Sequence, residues 1–359
     1  MIKLIKPYIA FAEVENEFRE IFESGWFTKG KFVESFREEI KSYTKARHAF
    51  LTTSATTALT ICLKILNIKE GDEIIVSDFS FPASANVVED VGAKTVFADV
   101  SLKTFNMLPE DLERKITNKT KAVIFVDALG NPSGIHEIKK ICSKYKIPLI
   151  EDAACAIGSS ENGIRCGNIA DLTCFSFHPR KLLTTGEGGA ITTNNSEYAL
   201  QLDIKLNHGS VMKDGKFDFV DVGFNYRLPE LQAVMGIKQL KKLDAIVAER
   251  NRVRRAYADK LESCGFKIQS TEGDVVFNVQ SLVFIVPEGV DRDALVAKLK
   301  IEGVEATLGT YSLSNCTFYK NKYNDVQKNA EFLQTNTITL PCYEGLDTEF
   351  VINGILKSL

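Results

Sequence analysis

The sequence predicts an α/β fold: a large domain with a mostly parallel central sheet between helices, followed by a smaller C-terminal α/β domain. Short apolar runs alternate with helix-length amphipathic segments, the pattern of a doubly wound sheet. The runs are apolar throughout rather than alternating, as in strands covered on both faces. The length of 359 residues exceeds the usual size of one domain.

In chain order, strands are expected at His48–Thr52, Glu73–Val76, Thr95–Ala98, Ala122–Val126, Pro148–Glu151, Leu172–Phe175 and Gly189–Thr193. Helical patterns at Ala55–Leu66 and Pro132–Tyr145 lie between them. A long helical pattern starts at Pro229, where proline suits the first turn, and runs on past residue 255. Beyond it come a strand near Ser281–Val286 and a helix near Asp291–Glu302. The expected division is residues 1–240 and 241–359.

Composition excludes several classes. With 45% hydrophobic and 25% charged residues, the chain reads as an ordinary globular protein. A net charge of −3 gives no reason to expect a nucleic-acid partner. The 8 cysteines form no CxxC pair and only 4 histidines are present, so no metal site is expected. No disulfide framework is expected either. The N-terminus has charges scattered through its apolar residues, and no uncharged run is long enough to span a bilayer. A cytoplasmic location without membrane contact is the expectation.

Three segments offer chemistry together that none offers alone. In IPLIEDAACAIG, Asp152 follows an apolar run and so sits at the carboxyl end of a strand, where open α/β sheets bind ligands. By itself it reads more readily as a turn or cap. In CFSFHPRKLLTTGEGGAITT, Ser176 and Lys181 lie between two apolar runs, and glycines allow close backbone approach. A lone loop lysine is ordinarily just solvated. In FLTTSATTALTICLKIL, Ser54 suits an N-cap, with the amides of Ala55 and Thr56 free at the helix start. Such a terminus suits a phosphate. In combination, the segments meet the needs of pyridoxal 5′-phosphate (PLP): donors for the phosphate, a carboxylate for the pyridine nitrogen and an amine for the aldehyde.

These stretches, with GWFTKGKFVESFREEI, DFSFPASAN, GFNYRLPELQAVMG and LPCYEGL, make the chain resemble the DegT/DnrJ/EryC1/StrS sugar aminotransferases over nearly its whole length. The resemblance implies fold type I of the PLP-dependent transferases. It implies that Lys181 carries PLP as a Schiff base and shuttles the proton, and that Asp152 pairs with the pyridinium. Ser54, Ala55, Thr56 and Ser176 would hold the phosphate. Phe81 would stack on the ring, or else pack in the core. Asn225 would reach the phosphate of a neighbouring subunit, which implies a homodimer; its alternative is a turn residue.

Departures from the family pattern fall near the site. Cys155 stands where Gln or His is usual, and a thiol is a weak donor. Ala55 stands where Gly is common. The segments Thr28–Lys31 and Tyr311–Ser314 depart from the family's substrate-region patterns. Lys29, His178, Arg227 and Tyr311 are the candidate substrate contacts, although Lys29 and Lys31 read equally as surface lysines. The implied activity moves an amino group, with L-glutamate as donor, to the keto carbon of a nucleotide-linked sugar in carbohydrate or surface-polysaccharide biosynthesis. Two alternatives stay open: the same chemistry on a small phosphorylated ketone such as dihydroxyacetone phosphate, giving serinol phosphate, and a non-catalytic sensor. The lysine at 181 argues against the family's dehydratases, which carry His there.

Overall fold

The computed structural model describes residues 1–359. All seven apolar runs form strands: β1 His48–Thr52, β2 Glu73–Ser77, β3 Lys94–Ala98, β4 Thr120–Val126, β5 Leu149–Asp152, β6 Leu172–Ser176 and β7 Gly189–Thr193. They make one seven-stranded sheet in the order β1-β7-β6-β5-β4-β2-β3. Every residue of β2, β5, β6 and β7 is buried, which is why these stretches read as continuous apolar runs. Neighbours from β3 to β6 pair in parallel, whereas β7 runs antiparallel to both β6 and β1. A loop without a crossover helix links β6 to β7, so the chain can only return antiparallel.

The helix Ala55–Ile65 buries nearly its whole length against one face of the sheet, with Leu59 and Cys62 packed among Val76, Ile124, Ile150 and Cys174. The other face is covered by Phe36, Ala233, Ile237 and Leu243 against Phe175 and Phe177. The long helix read from Pro229 is in fact two, Glu230–Leu240 and Leu243–Leu261, with Pro229 as N-cap rather than in the first turn. Tertiary contacts override the periodicity at the break. Gln239 is fully buried and bonds both the amide and the carbonyl of Thr184, while the Lys242 ammonium reaches the Tyr8 carbonyl at 3.0 Å and Glu13.

The C-terminal unit holds a four-stranded sheet in the order Lys267–Ile268, Leu282–Ile285, Thr337–Leu340, Thr307–Leu308. The helix Leu243–Leu261 straddles two cores. Leu243, Ile246 and Val247 pack with the large sheet, and Val253, Tyr257 and Leu261 with the smaller one. Residue 2 also joins the smaller unit: its amide donates to the Gly303 carbonyl at 2.7 Å. We therefore propose the division at 240/241 as a boundary in sequence that both the following helix and the N-terminus bridge.

Candidate active site

The carboxyl ends of the central strands β5 and β6 bring the predicted residues to one end of the sheet. Asp152 ends β5 and is 5% exposed. One oxygen accepts the Ser84 hydroxyl at 2.6 Å and the other the Ala154 amide at 3.2 Å. Ser84 in turn lies 2.8 Å from the Ser80 hydroxyl. Burial pushes the Asp152 carboxyl up, against the pull of Ser84, the Ala154 amide and the charge of Lys181. The carboxylate is thus held, oriented and short of a counter-charge, ready for a cation.

Lys181 lies in the loop between β6 and β7, and its amine donates to the Cys155 sulfur at 3.0 Å. Both feet of this loop are fixed. The Phe177 amide donates to the Gly188 carbonyl at 2.8 Å, and the Leu182 amide to the Gln280 side chain at 2.9 Å. Leu182 and Leu183 are buried beneath it. Gly188 takes φ +154°, and a Cβ there would stand 2.4 Å from the Thr185 hydroxyl, so the second glycine of GEGG is required.

Ser54 caps the helix Ala55–Ile65 as expected. Its hydroxyl accepts the Thr57 amide at 3.1 Å, and the Thr57 hydroxyl accepts the Ser54 amide at 3.1 Å. This reciprocal cap leaves the Ala55 and Thr56 amides for a ligand. β7 starts hard against them: a Cβ at Gly189 would sit 2.6 Å from the Ser54 carbonyl carbon. Ser176 ends β6 and is buried, its hydroxyl accepting the His178 amide at 3.4 Å.

Phe81 is 67% exposed, with its ring edge-on to Tyr311 at 6.4 Å. Core packing, the alternative held open for it, is therefore not its role. His178 is half-buried; burial lowers its pKa, and Nδ1 accepts the Arg180 amide at 3.2 Å. Other candidates lie apart within a single chain. Asn225 is exposed in a loop, and Lys29 is exposed with a left-handed φ of +54°. Lys31 pairs with Glu20. Lys29 lines two adjoining clefts of about 490 and 340 Å³, the second also lined by Arg37 and Arg227, and neither contains Asp152, Ser176 or Lys181.

Ser80 and Ser84 are functional candidates that sequence reasoning missed, although DFSFPASAN contains them. A spacing of four places them together as the chain enters the helix Ala83–Asp90. Behind the site, Asp127 and Glu151 are fully buried beside Cys166, their ligand atoms within 4.8 Å of one another. Both Asp127 oxygens and one of Glu151 lack a hydrogen-bond partner. Burial, with Glu151 alongside, pushes Asp127 well above the usual carboxylate range. The folded state thus keeps a proton that the unfolded chain releases near pH 4, so this pair costs stability as pH rises above that value. Asp127→Asn should raise Tm by about 2–5 °C at pH 8, a gain that fades toward pH 4. A gain that does not change with pH would contradict this.

The model of the DegT/DnrJ/EryC1/StrS aminotransferase family matches residues 10–356. The chain belongs to this family. Among its relatives, the GDP-perosamine synthase of Vibrio cholerae is 30% identical over 355 residues, covering 96% of this chain and 95% of the relative. Helicobacter pylori PseC, an aminotransferase involved in the biosynthesis of pseudoaminic acid, matches with a TM-score of 0.93 at 26% identity, covering 99% of this chain and 98% of that one. Spr1654 of Streptococcus pneumoniae matches in its PMP form with a TM-score of 0.92 at 27% identity over 100% of both chains, and is also solved with PLP.

The protein is a PLP-dependent aminotransferase. Its own residues fit the cofactor: a buried carboxylate, free amides at a helix start and an amine near enough for its charge to act on that carboxylate. No helix is long and apolar enough to cross a membrane.

Proposed function

We propose that this DegT/DnrJ/EryC1/StrS aminotransferase moves an amino group from L-glutamate to the keto carbon of a nucleotide-linked sugar. The observation that supports it most is the juxtaposition of Lys181 and Asp152 at the end of the sheet, in a chain whose relatives include a GDP-perosamine synthase. Bound PLP supplies an aldehyde that condenses with amines and a ring that draws off the electron pair released at the adjacent carbon.

The chain's residues do the rest in this reading. Ser54, the Ala55 and Thr56 amides and Ser176 take the phosphate and so fix the ring's position. Asp152, itself held by Ser84 and the Ala154 amide, keeps the ring nitrogen protonated. Lys181 serves as carrier amine and then, once displaced, takes the proton from the donor Cα and returns it on the far side of the exchange. Its loop holds the amine at a fixed height above the sheet. Cys155 meets the amine before displacement, its sulfur 3.0 Å from the amine nitrogen. Phe81 and Tyr311 wall the exposed side.

We further propose a homodimer in which Asn225 completes the neighbouring site. The hairpin Ser210–Lys213/Lys216–Phe219 leads toward Asn225 and presents Met212, Phe217, Phe219 and Val222 at 61–70% exposure. An apolar run of that kind needs cover, and a second copy supplies it. All eight cysteines are free, including Cys62 and Cys174 with sulfurs 3.5 Å apart, in keeping with a reducing cytoplasm.

The deciding experiment offers the PMP-loaded enzyme a panel of nucleotide-linked keto sugars and dihydroxyacetone phosphate. Return of the PLP spectrum with a nucleotide-linked sugar is expected; return with the small phosphate alone would overturn the sugar-nucleotide reading. Light scattering on the same preparation should give a dimer, and an active monomer would remove Asn225 from the site.

A further inference from the structure

Two segments far apart in sequence meet beside Asp152, linked to it through Ser80 and Ser84. The strand Phe79–Ser80 leaves β2 on the large domain, and the strand Tyr311–Ser312 comes from the C-terminal unit. They pair antiparallel, with Tyr311 opposite Ser80 and Ser312 opposite Phe79. A β-ribbon this short does not hold by itself.

What secures it is Asp78, fully buried at the end of β2. One carboxyl oxygen accepts the Ser314 amide at 2.6 Å. The other accepts the Ser312 and Ser314 hydroxyls, each at 2.8 Å. Its carbonyl accepts the Leu313 amide at 2.9 Å, and its own amide donates to the Ala98 carbonyl at 3.0 Å. No cation pairs with it. Burial pushes the carboxyl up to about 7, and the Ser314 and Ser312 donors are what hold it from rising further. A buried carboxyl served only by hydroxyl and amide donors depends on all of them.

The two serines belong to the segment Tyr311–Ser314, where the chain departs from the family pattern. The aspartate leads into Phe79–Ser80, whose Ser80 hydroxyl touches Ser84, the donor to Asp152. Asp78 thus joins the departing segment to the cofactor carboxylate's own hydrogen-bond line. We propose that Asp78, through Ser312 and Ser314, is a positioning residue that sets the acceptor wall, holding Tyr311 against Phe81 where the sugar half of the substrate enters. This rests on the aminotransferase reading above but not on the identity of the sugar.

Ping-pong chemistry lets the two halves be measured apart. The amino donor needs only the cofactor pocket, whereas the carbohydrate needs the wall. Asp78→Asn keeps the shape but swaps one acceptor for a donor, and Ser312→Ala removes one hydroxyl donor to the carboxylate while leaving the Gln327 amide its partner on Ser314. Each should raise KM for the accepted keto sugar by about tenfold, with the rate of donor-driven conversion of PLP to PMP within about twofold of wild type. The absorbance of bound PLP should not change. Equal losses in both halves, or none in either, would overturn the proposal. Hydrogen exchange on the holoenzyme gives a test that needs no acceptor: the amides of residues 311–316 should exchange faster in Asp78→Asn than in wild type. Unchanged exchange sinks the clamp itself. Faster exchange in an enzyme that aminates no nucleotide-linked sugar sinks only the proposed substrate.

Discussion

Lys181→Ala should lose transamination by at least about a thousandfold, together with the visible absorbance of bound PLP. One amine serves two purposes in the proposed chemistry, covalent carrier and proton carrier, and alanine supplies neither. Positioned acid–base catalysis alone contributes about 10²–10⁴-fold, and no neighbour can take it over. Cys155 is the group in contact with the amine, and a thiol cannot form the imine. Arg180 is adjacent in sequence, but it is exposed, and a guanidinium does not replace an amine as imine carrier. The fold should survive, because the loop is held by Leu182, Leu183 and backbone bonds that the substitution leaves alone. The measurement is single-turnover conversion from glutamate, followed by absorbance and by product. Wild-type turnover in this variant would remove Lys181 from the mechanism.

Asp152→Asn separates binding from chemistry. The amide oxygen can still accept from Ser84 or Ala154, so the end of the sheet keeps its shape. Lys181 is left untouched, so the PLP-loaded protein should remain coloured. What disappears, in the proposed chemistry, is the negative charge that would hold the ring nitrogen protonated, and with it the pull on the electron pair at Cα. The proton-transfer step should slow by on the order of 10²–10³, the scale for losing one preorganised electrostatic partner at a reacting charge. Stopped-flow spectra in the donor half-reaction would show it. An unchanged rate would mean that the carboxylate faces something other than the ring nitrogen.

Much of the scaffold behind these residues is legible in the sequence, for a physical reason. Strands buried on both faces must be apolar along their whole length, so β2, β5 and β6 announce themselves. Asp152 stands out because a carboxylate ends such a run, and Ser54 because an N-cap is a local device. The extra helix break near Lys241 is not legible, since the apolar periodicity continues through it. It comes from Gln239 reaching the loop at Thr184, a contact between residues 55 apart. The same holds for Ser84 with Asp152, 68 apart, and for Asp78 with Ser312, 234 apart. Side-chain hydrogen bonds between distant segments leave no periodic trace. Local signals in a chain of this kind therefore point to the candidate reacting groups more readily than to the residues that hold them still.

The reversal of β7 has a mechanical corollary. Because β6 and β7 are adjacent and oppositely directed, the segment bearing the reactive amine leaves the sheet and re-enters it at neighbouring rungs, like a handle riveted at both ends. Motion of the C-terminal unit would tug it chiefly through the Gln280 side chain, which grips the Leu182 amide and the Arg180 carbonyl. The length of the amine's lever arm is therefore set by the sheet, and its lateral position by that one amide side chain.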